Sequence, residues 1–156
     1  MGRHFLRNLS FVYSLHLLIE NRELVKLLRA RDVDVYLVSG GFYSLIEPVA
    51  KELGIPVKNI FANKLKFFHD GSYAGFDEDQ PTSEQDGKPR VIAYLKKEHD
   101  YRNVVMVGDG ATDLAAAPPA DAFIGFGGNQ VRDKVKKDAD WFTLSFYDII
   151  QELNRN

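Results

Sequence analysis

Two aspartates four residues apart flank a glycine turn in "VVMVGDGATDLAAA", Val104 to Ala117. An apolar strand enters the turn and an alanine-rich helix leaves it, so Asp109 and Asp113 stand where strand gives way to helix. Carboxylates at such a point suit a hard cation such as Mg²⁺, which prefers oxygen ligands. A second cluster, Ser39-Gly40-Gly41, follows the β-branched run "VDVYLV" at 33–38. Glycines after a strand leave backbone amides open to an anion, and the next helix adds its positive end. Lys88 opens a helical pattern just after a glycine, where an ammonium can neutralise phosphoryl charge. Singly, each has an ordinary reading: a strand-end serine as a cap, a surface lysine, a Gly-Asp-Gly turn. Jointly, three loops at one sheet edge read as a place for a phosphate and Mg²⁺.

The elements that must position these residues alternate. "NRELVKLLRARD" sets Leu24, Leu27 and Leu28 at helical spacing, with Asn21 as its expected cap. The strand 33–38 follows, then the helix "YSLIEPVAKELG", which Gly54 stops and in which Pro48 predicts a late start or a bend. "NIFAN", "KLKFF" and "YAGF" read as strands, the last two joined through the Asp-Gly turn of "HDGS". After the loop "DEDQPTSEQDG" come the helix "KPRVIAYLKKEHD", with Pro89 in its first turn, and the strand Val104–Val107. A helix from "DLAAA" ends at Pro118-Pro119. Beyond it lie the strand "AFIGFGG", the short helix "QVRDKVKK", the strand "DWFTL" and a closing helix "SFYDIIQELN" capped by Ser145. Short strands alternating with helices predict an α/β fold with a mostly parallel sheet, whose ligands bind at the carboxyl ends of the strands.

The 156 residues make one domain of ordinary globular composition, 45% apolar and 27% charged with net charge −2. No basic block points to nucleic acid. The absence of cysteine excludes disulfides, thiolate metal sites and a cysteine nucleophile. "GFGG" does not continue into Gly-x-Gly-x-x-Gly, no Walker lysine follows a glycine loop, and the four histidines are dispersed. The apolar run Leu9–Ile19 is shorter than the roughly 20 residues that span a bilayer. Its acid-poor, basic start has two readings, an ordinary segment of a cytoplasmic protein or a mitochondrial presequence.

From Asn21 to Leu153 the chain closely resembles the eukaryotic phosphoserine phosphatases of the haloacid dehalogenase superfamily. The phrases that carry the resemblance are "ELVKLLRARDVDVYLVSGGF", "NIFANKLKF", "YAGFDEDQPT", "GDGATD" and "PPADAFIGFGGN". The resemblance implies a three-layer, Rossmann-like core over residues 21–156 with a small β-hairpin insertion, preceded by a divergent segment, 1–20. It implies that Ser39 grips a phosphoryl oxygen while Gly40 and Gly41 donate amides around the substrate. Lys88 matches the lysine that steadies the nucleophile and the phosphoryl charge, and Asp109 the aspartate ligating Mg²⁺. Asp113 matches an acidic neighbour that orients the lysine or a metal-bound water, and Thr112 a substrate contact. The implied reaction is hydrolysis of O-phospho-L-serine to L-serine and phosphate through an aspartyl-phosphate, a step of L-serine biosynthesis.

The family's first motif, Asp-x-Asp-x-Thr/Val at the end of the first strand, has no counterpart before Asn21. Nor does the helical cap domain that follows it. Asp32-Val-Asp34 fits the bare spacing but opens its strand. A strand of about six residues at roughly 3.3 Å each carries it to the opposite sheet edge from Ser39. The expectation is therefore a core without its central first strand and a chain of little or no turnover. Residues 9–15, whose apolar positions alternate, read as a substitute strand or as a helix. The remaining alternatives are a non-catalytic phosphate-binding or regulatory form, pairing as a homodimer or with a full-length copy, and an incomplete gene model.

Overall fold

The computed structural model describes residues 19–155. The expectations for residues 1–18, a targeting segment or a substitute strand at 9–15, lie outside the described residues. Helix α1 occupies residues 19–30. Asn21 therefore sits within the helix and is not its cap, because the helical conformation already holds at Ile19 and Glu20. Leu24 and Val25 are buried, and Leu27 and Leu28 are half-buried on the same stripe.

Strand β1 (Leu37–Phe42) pairs in parallel with β2 (Ile60–Asn63), Leu37 opposite Ile60 and Val38 opposite Phe61. The predicted strand at 33–38 is thus shifted toward the glycines. Residues 33–36 run past the start of β2, where the Asn59 side chain, not a strand, donates to the Val35 carbonyl at 2.9 Å. Helix α2 (Tyr43–Leu53) starts at once after β1 and continues through Pro48, so the late start does not occur; Gly54 ends it with φ of 69°. Val25, Ala50, Ile55, Ile60 and Ala62 form the core beneath these elements.

Strands β3 (Leu65–Phe67) and β4 (Tyr73–Phe76) make the predicted antiparallel hairpin. Its turn is fixed by Asp70, which accepts from the amide and hydroxyl of Ser72. Helix α3 (Gly87–His99) leads to β5 (Val105–Gly108), the short helix α4 (Ala111–Leu114) and β6 (Ala122–Phe126). Helix α5 (Asp133–Asp138), β7 (Trp141–Thr143) and α6 (Phe146–Arg155) complete the chain. Strands β5, β6 and β7 form a second parallel sheet in that order. Ile92, Ala116 and Ala120 are its buried cluster, flanked by Val104 and Met106.

Among the described residues no ladder joins β1 to β5. The two half-sheets are linked by side chains instead. On α3, Ile92 enters the core beside β5 while Tyr94 sets its ring edge-on to Phe61 of β2. At the amino-terminal ends, Tyr101 donates to Asp34 (2.5 Å) and shares a 2.8 Å hydrogen bond with Tyr36. Glu20 of α1 makes the longest-range link. Only 2% exposed, it accepts from the Ser145 hydroxyl (3.0 Å) and the Phe146 amide (2.8 Å), adding a carboxylate to the start of α6. Ser145 also caps that helix itself, its hydroxyl accepting from the Tyr147 amide.

Two outcomes follow from these links. Glu20→Ala strips the Ser145 hydroxyl and the Phe146 amide of a buried acceptor, and urea unfolding should show a loss of about 1–3 kcal/mol. Partial burial, then the bonds to Asp34 and Tyr36, raise the Tyr101 hydroxyl pKa above the ordinary tyrosine value. Above the unfolded-state pKa of about 10 the folded chain therefore holds a proton that the unfolded chain has lost. Stability is unaffected by this group below that pH and declines above it. Measured unfolding free energies should fall on the alkaline side in the native sequence and fall less in Tyr101→Phe.

Candidate active site

The ladder between β1 and β2 breaks at the predicted anion loop. Val38 pairs with Phe61 and Phe42 with Asn63, so Ser39, Gly40 and Gly41 together oppose the single residue Ala62. The bulge is open at its middle, where a Cβ built on Gly40 would meet nothing within 4 Å. Ser39 Oγ accepts the Gly41 amide at 3.0 Å. Gly41 is therefore not the open donor that the sequence suggested. That bond uses one acceptor position of the serine hydroxyl, whose O–H remains a donor. The Gly40 carbonyl accepts from Asn63 Nδ2 at 2.9 Å.

Lys88 is the second residue of α3, at the positive end of a 13-residue helix. Gly87 precedes it because a Cβ there would overlap the Pro81 carbonyl and come within 2.7 Å of Thr82 Cα. The lysine ammonium is hydrogen-bonded to Asp113 Oδ1, with side chains only 17% and 8% exposed. The other carboxylate oxygen of Asp113 accepts the Gly110 amide at 2.9 Å. Gly108 closes the packing beneath: a Cβ there would overlap the Asp113 carboxyl group. So Asp113 fixes the turn after β5 and holds Lys88 at the same time. Removing one partner of a buried ion pair leaves the other charge uncompensated, so the pair acts as a unit.

Asp109 lies on the same turn, half-buried, with Arg132 at its carboxylate (3.2 Å) and at its carbonyl (3.1 Å). The arginine also donates to Gln130. Sequence reasoning passed over Arg132, although it follows the glycine loop at the carboxyl end of β6, the position that marks ligand loops in such sheets. Thr112 is exposed on α4, one residue from Asp113. Asp34, rejected as a nucleophile, is bonded to Tyr101 before β1 begins, away from the bulge.

Ser39 and Gly40 thus connect through Asn63 to the turn preceding α3, and Lys88 connects through Asp113 to the turn bearing Asp109 and Thr112. The described residues do not by themselves compose a magnesium site. No group of three or more His, Asp or Glu converges among them. The Asp113 oxygens are occupied by Lys88 and Gly110, and Mg²⁺ prefers octahedral oxygen coordination. Asp109 furnishes one carboxylate.

Comparison with known proteins sets this geometry in a family. A model of the haloacid dehalogenase-like hydrolases matches residues 5–121. The phosphoserine phosphatase of Rattus norvegicus is 54% identical over 138 residues, covering 88% of this chain and 61% of that protein. The structure of DsGPDH of Dunaliella salina superposes with a TM-score of 0.71 at 37% identity, over 86% of this chain and 22% of that one. A phosphoserine phosphohydrolase-like protein from Francisella tularensis gives a TM-score of 0.72 at 26% identity, over 84% and 60%. The chain spans about three-fifths of the length of the mammalian relatives it matches. On the extent of the family match, and on a parallel α/β core with its acids and lysine gathered after the strands, the chain belongs to the haloacid dehalogenase-like hydrolases.

Proposed function

We propose that these residues form the phosphate-gripping half of a phosphoserine-phosphatase-type hydrolase, which cleaves O-phospho-L-serine to L-serine and phosphate. The observation that carries this reading is the Lys88–Asp113 pair beside the Asp109 turn, within a chain 54% identical to a relative of that name. In this reading the Ser39 hydroxyl donates to one phosphoryl oxygen, with Gly40, Gly41 and Thr112 around the substrate. Lys88 stabilises the charge that develops on the phosphoryl group, and Asp113 keeps its ammonium from swinging into solvent. Asp109 would be one ligand of Mg²⁺, which in the family offsets phosphoryl charge. A cytoplasmic location belongs to the same proposal. Among the described residues no helix is long and apolar enough to cross a membrane.

Phosphoryl transfer through an aspartyl-phosphate needs an attacking carboxylate. Among the described residues the acids of this site are Asp109 and Asp113, both already held by cations. The 156-residue chain by itself should therefore turn over at a rate on the order of 10⁶ below a complete hydrolase. Phosphate release from O-phospho-L-serine with Mg²⁺ measures this. Robust hydrolysis by the purified chain would overturn the proposal of a half-site.

A second reading rests on the unladdered edges. Val105 and Val107 of β5 are 51% and 37% exposed, and β5 pairs only with β6 among the described residues. Such an edge favours pairing with a second copy or a full-length copy. Light scattering on the eluted protein distinguishes the two, because a clean monomer at high concentration argues against pairing.

A further inference from the structure

We propose that Asn63 is the positioning residue that sets the separation between the Ser39–Gly41 bulge and Lys88. This inference rests on the phosphate-cradle reading above and assigns that site a part that no loop residue supplies. Asn63 ends β2 and stands between two loops that reach it from different directions. Its Nδ2 donates to the Gly40 carbonyl at 2.9 Å, and its Oδ1 accepts from the Thr82 hydroxyl at 2.9 Å. Thr82 is only 6% exposed, in the turn Pro81–Ser83. The backbone of Gly87 lies directly against that turn, with no room for a Cβ. The next residue is Lys88, held by Asp113. A continuous path therefore runs from Gly40 through Asn63, Thr82 and Gly87 to the lysine.

The chemistry of the position admits few side chains. A carbonyl can only accept, so the amide nitrogen must face Gly40 and the amide oxygen must face Thr82, whose hydroxyl then donates. Aspartate would set a carboxylate oxygen against the Gly40 carbonyl, and a hydrophobic residue would leave a buried hydroxyl without its acceptor. An asparagine spans both partners with one rigid plane. A phosphoryl group bound by both the Ser39 hydroxyl and the Lys88 ammonium needs those donors a fixed distance apart, since each hydrogen bond tolerates only a few tenths of an ångström. Asn63 touches neither donor and governs the spacing of both.

The test uses the full 156-residue chain and two readouts at the Gly40 and Gly41 amides. The first is their ¹H–¹⁵N shifts and hydrogen exchange without ligand. The second is their response to inorganic phosphate. Thr82→Val should move both glycine amides, to which Thr82 is joined by hydrogen bonds only through Asn63. In an Asn63→Ala background the same change should add nothing, and Thr82→Ser, which keeps the hydroxyl, should restore the native shifts. Asn63→Ala should raise the phosphate dissociation constant about three- to tenfold, the loss of one to two ordinary hydrogen bonds. Asn63→Asp, which retains an acceptor for Thr82 but not the donor to Gly40, should weaken phosphate binding similarly. Unmoved glycine amides in Thr82→Val, or additive effects of Thr82→Val and Asn63→Ala, would overturn the inference. If the native chain gives no phosphate response, the phosphatase reading falls, while the ligand-free comparison still decides the role of Asn63.

Discussion

Backbone pairing does not cross from β1 to β5 among the described residues, and the rest of the molecule is arranged around that constraint. Within a sheet, register comes from the ladder itself. Across this seam it must come from side chains, each of which fixes only its own neighbourhood. The tyrosine cluster at one end of the strands, Tyr94 against Phe61 on α3, and the Asn63 and Lys88 contacts at the other end divide that task. Hydrogen bonds thus stand at both ends of the strands, and the candidate site sits at one of them.

The loops at that end differ in character. Ser39 to Gly41 could bulge freely, since nothing crowds Gly40, yet they are pinned on one side by Asn63 and internally by the serine hydroxyl. The turn after β5 is the opposite case. It is crowded, with Gly108 and Gly110 packed around the Asp113 carboxylate, and it yields one well-buried ion pair.

Much of this was legible in the sequence. The alternation of elements, the hairpin with its Asp-Gly turn, Gly54 as a helix stop and Ser145 as a cap all follow from local patterns, and local interactions are what those patterns encode. The misses have different origins. Asn21 is inside α1 because the helix already holds at Ile19 and Glu20, and β1 is displaced toward its glycines because its partner strand begins only at Ile60. Gly41, by contrast, donates to Ser39 two residues away, a purely local bond. In the site, Ser39, Lys88, Asp109 and Asp113 announce themselves by type and position beside glycines. Asn63 and Arg132 do not. An asparagine at the end of a strand reads as a turn residue until the carbonyl and hydroxyl on either side of it are known, and an arginine after a loop reads as surface charge until the aspartate beside it is placed.

The Glu20 clasp also bears on the order in which the molecule can assemble. Its acceptor lies near the beginning of the described chain, and its donors come 125 and 126 positions later. While the polypeptide is still emerging from the ribosome, the donors from Ser145 and Phe146 are not yet present, so these two bonds to α1 form only once α6 has been made. Closing so long a loop is entropically demanding and slow. The first of the described helices is thus fastened in part by the last of them, and a nascent chain halted short of Ser145 would lack that latch.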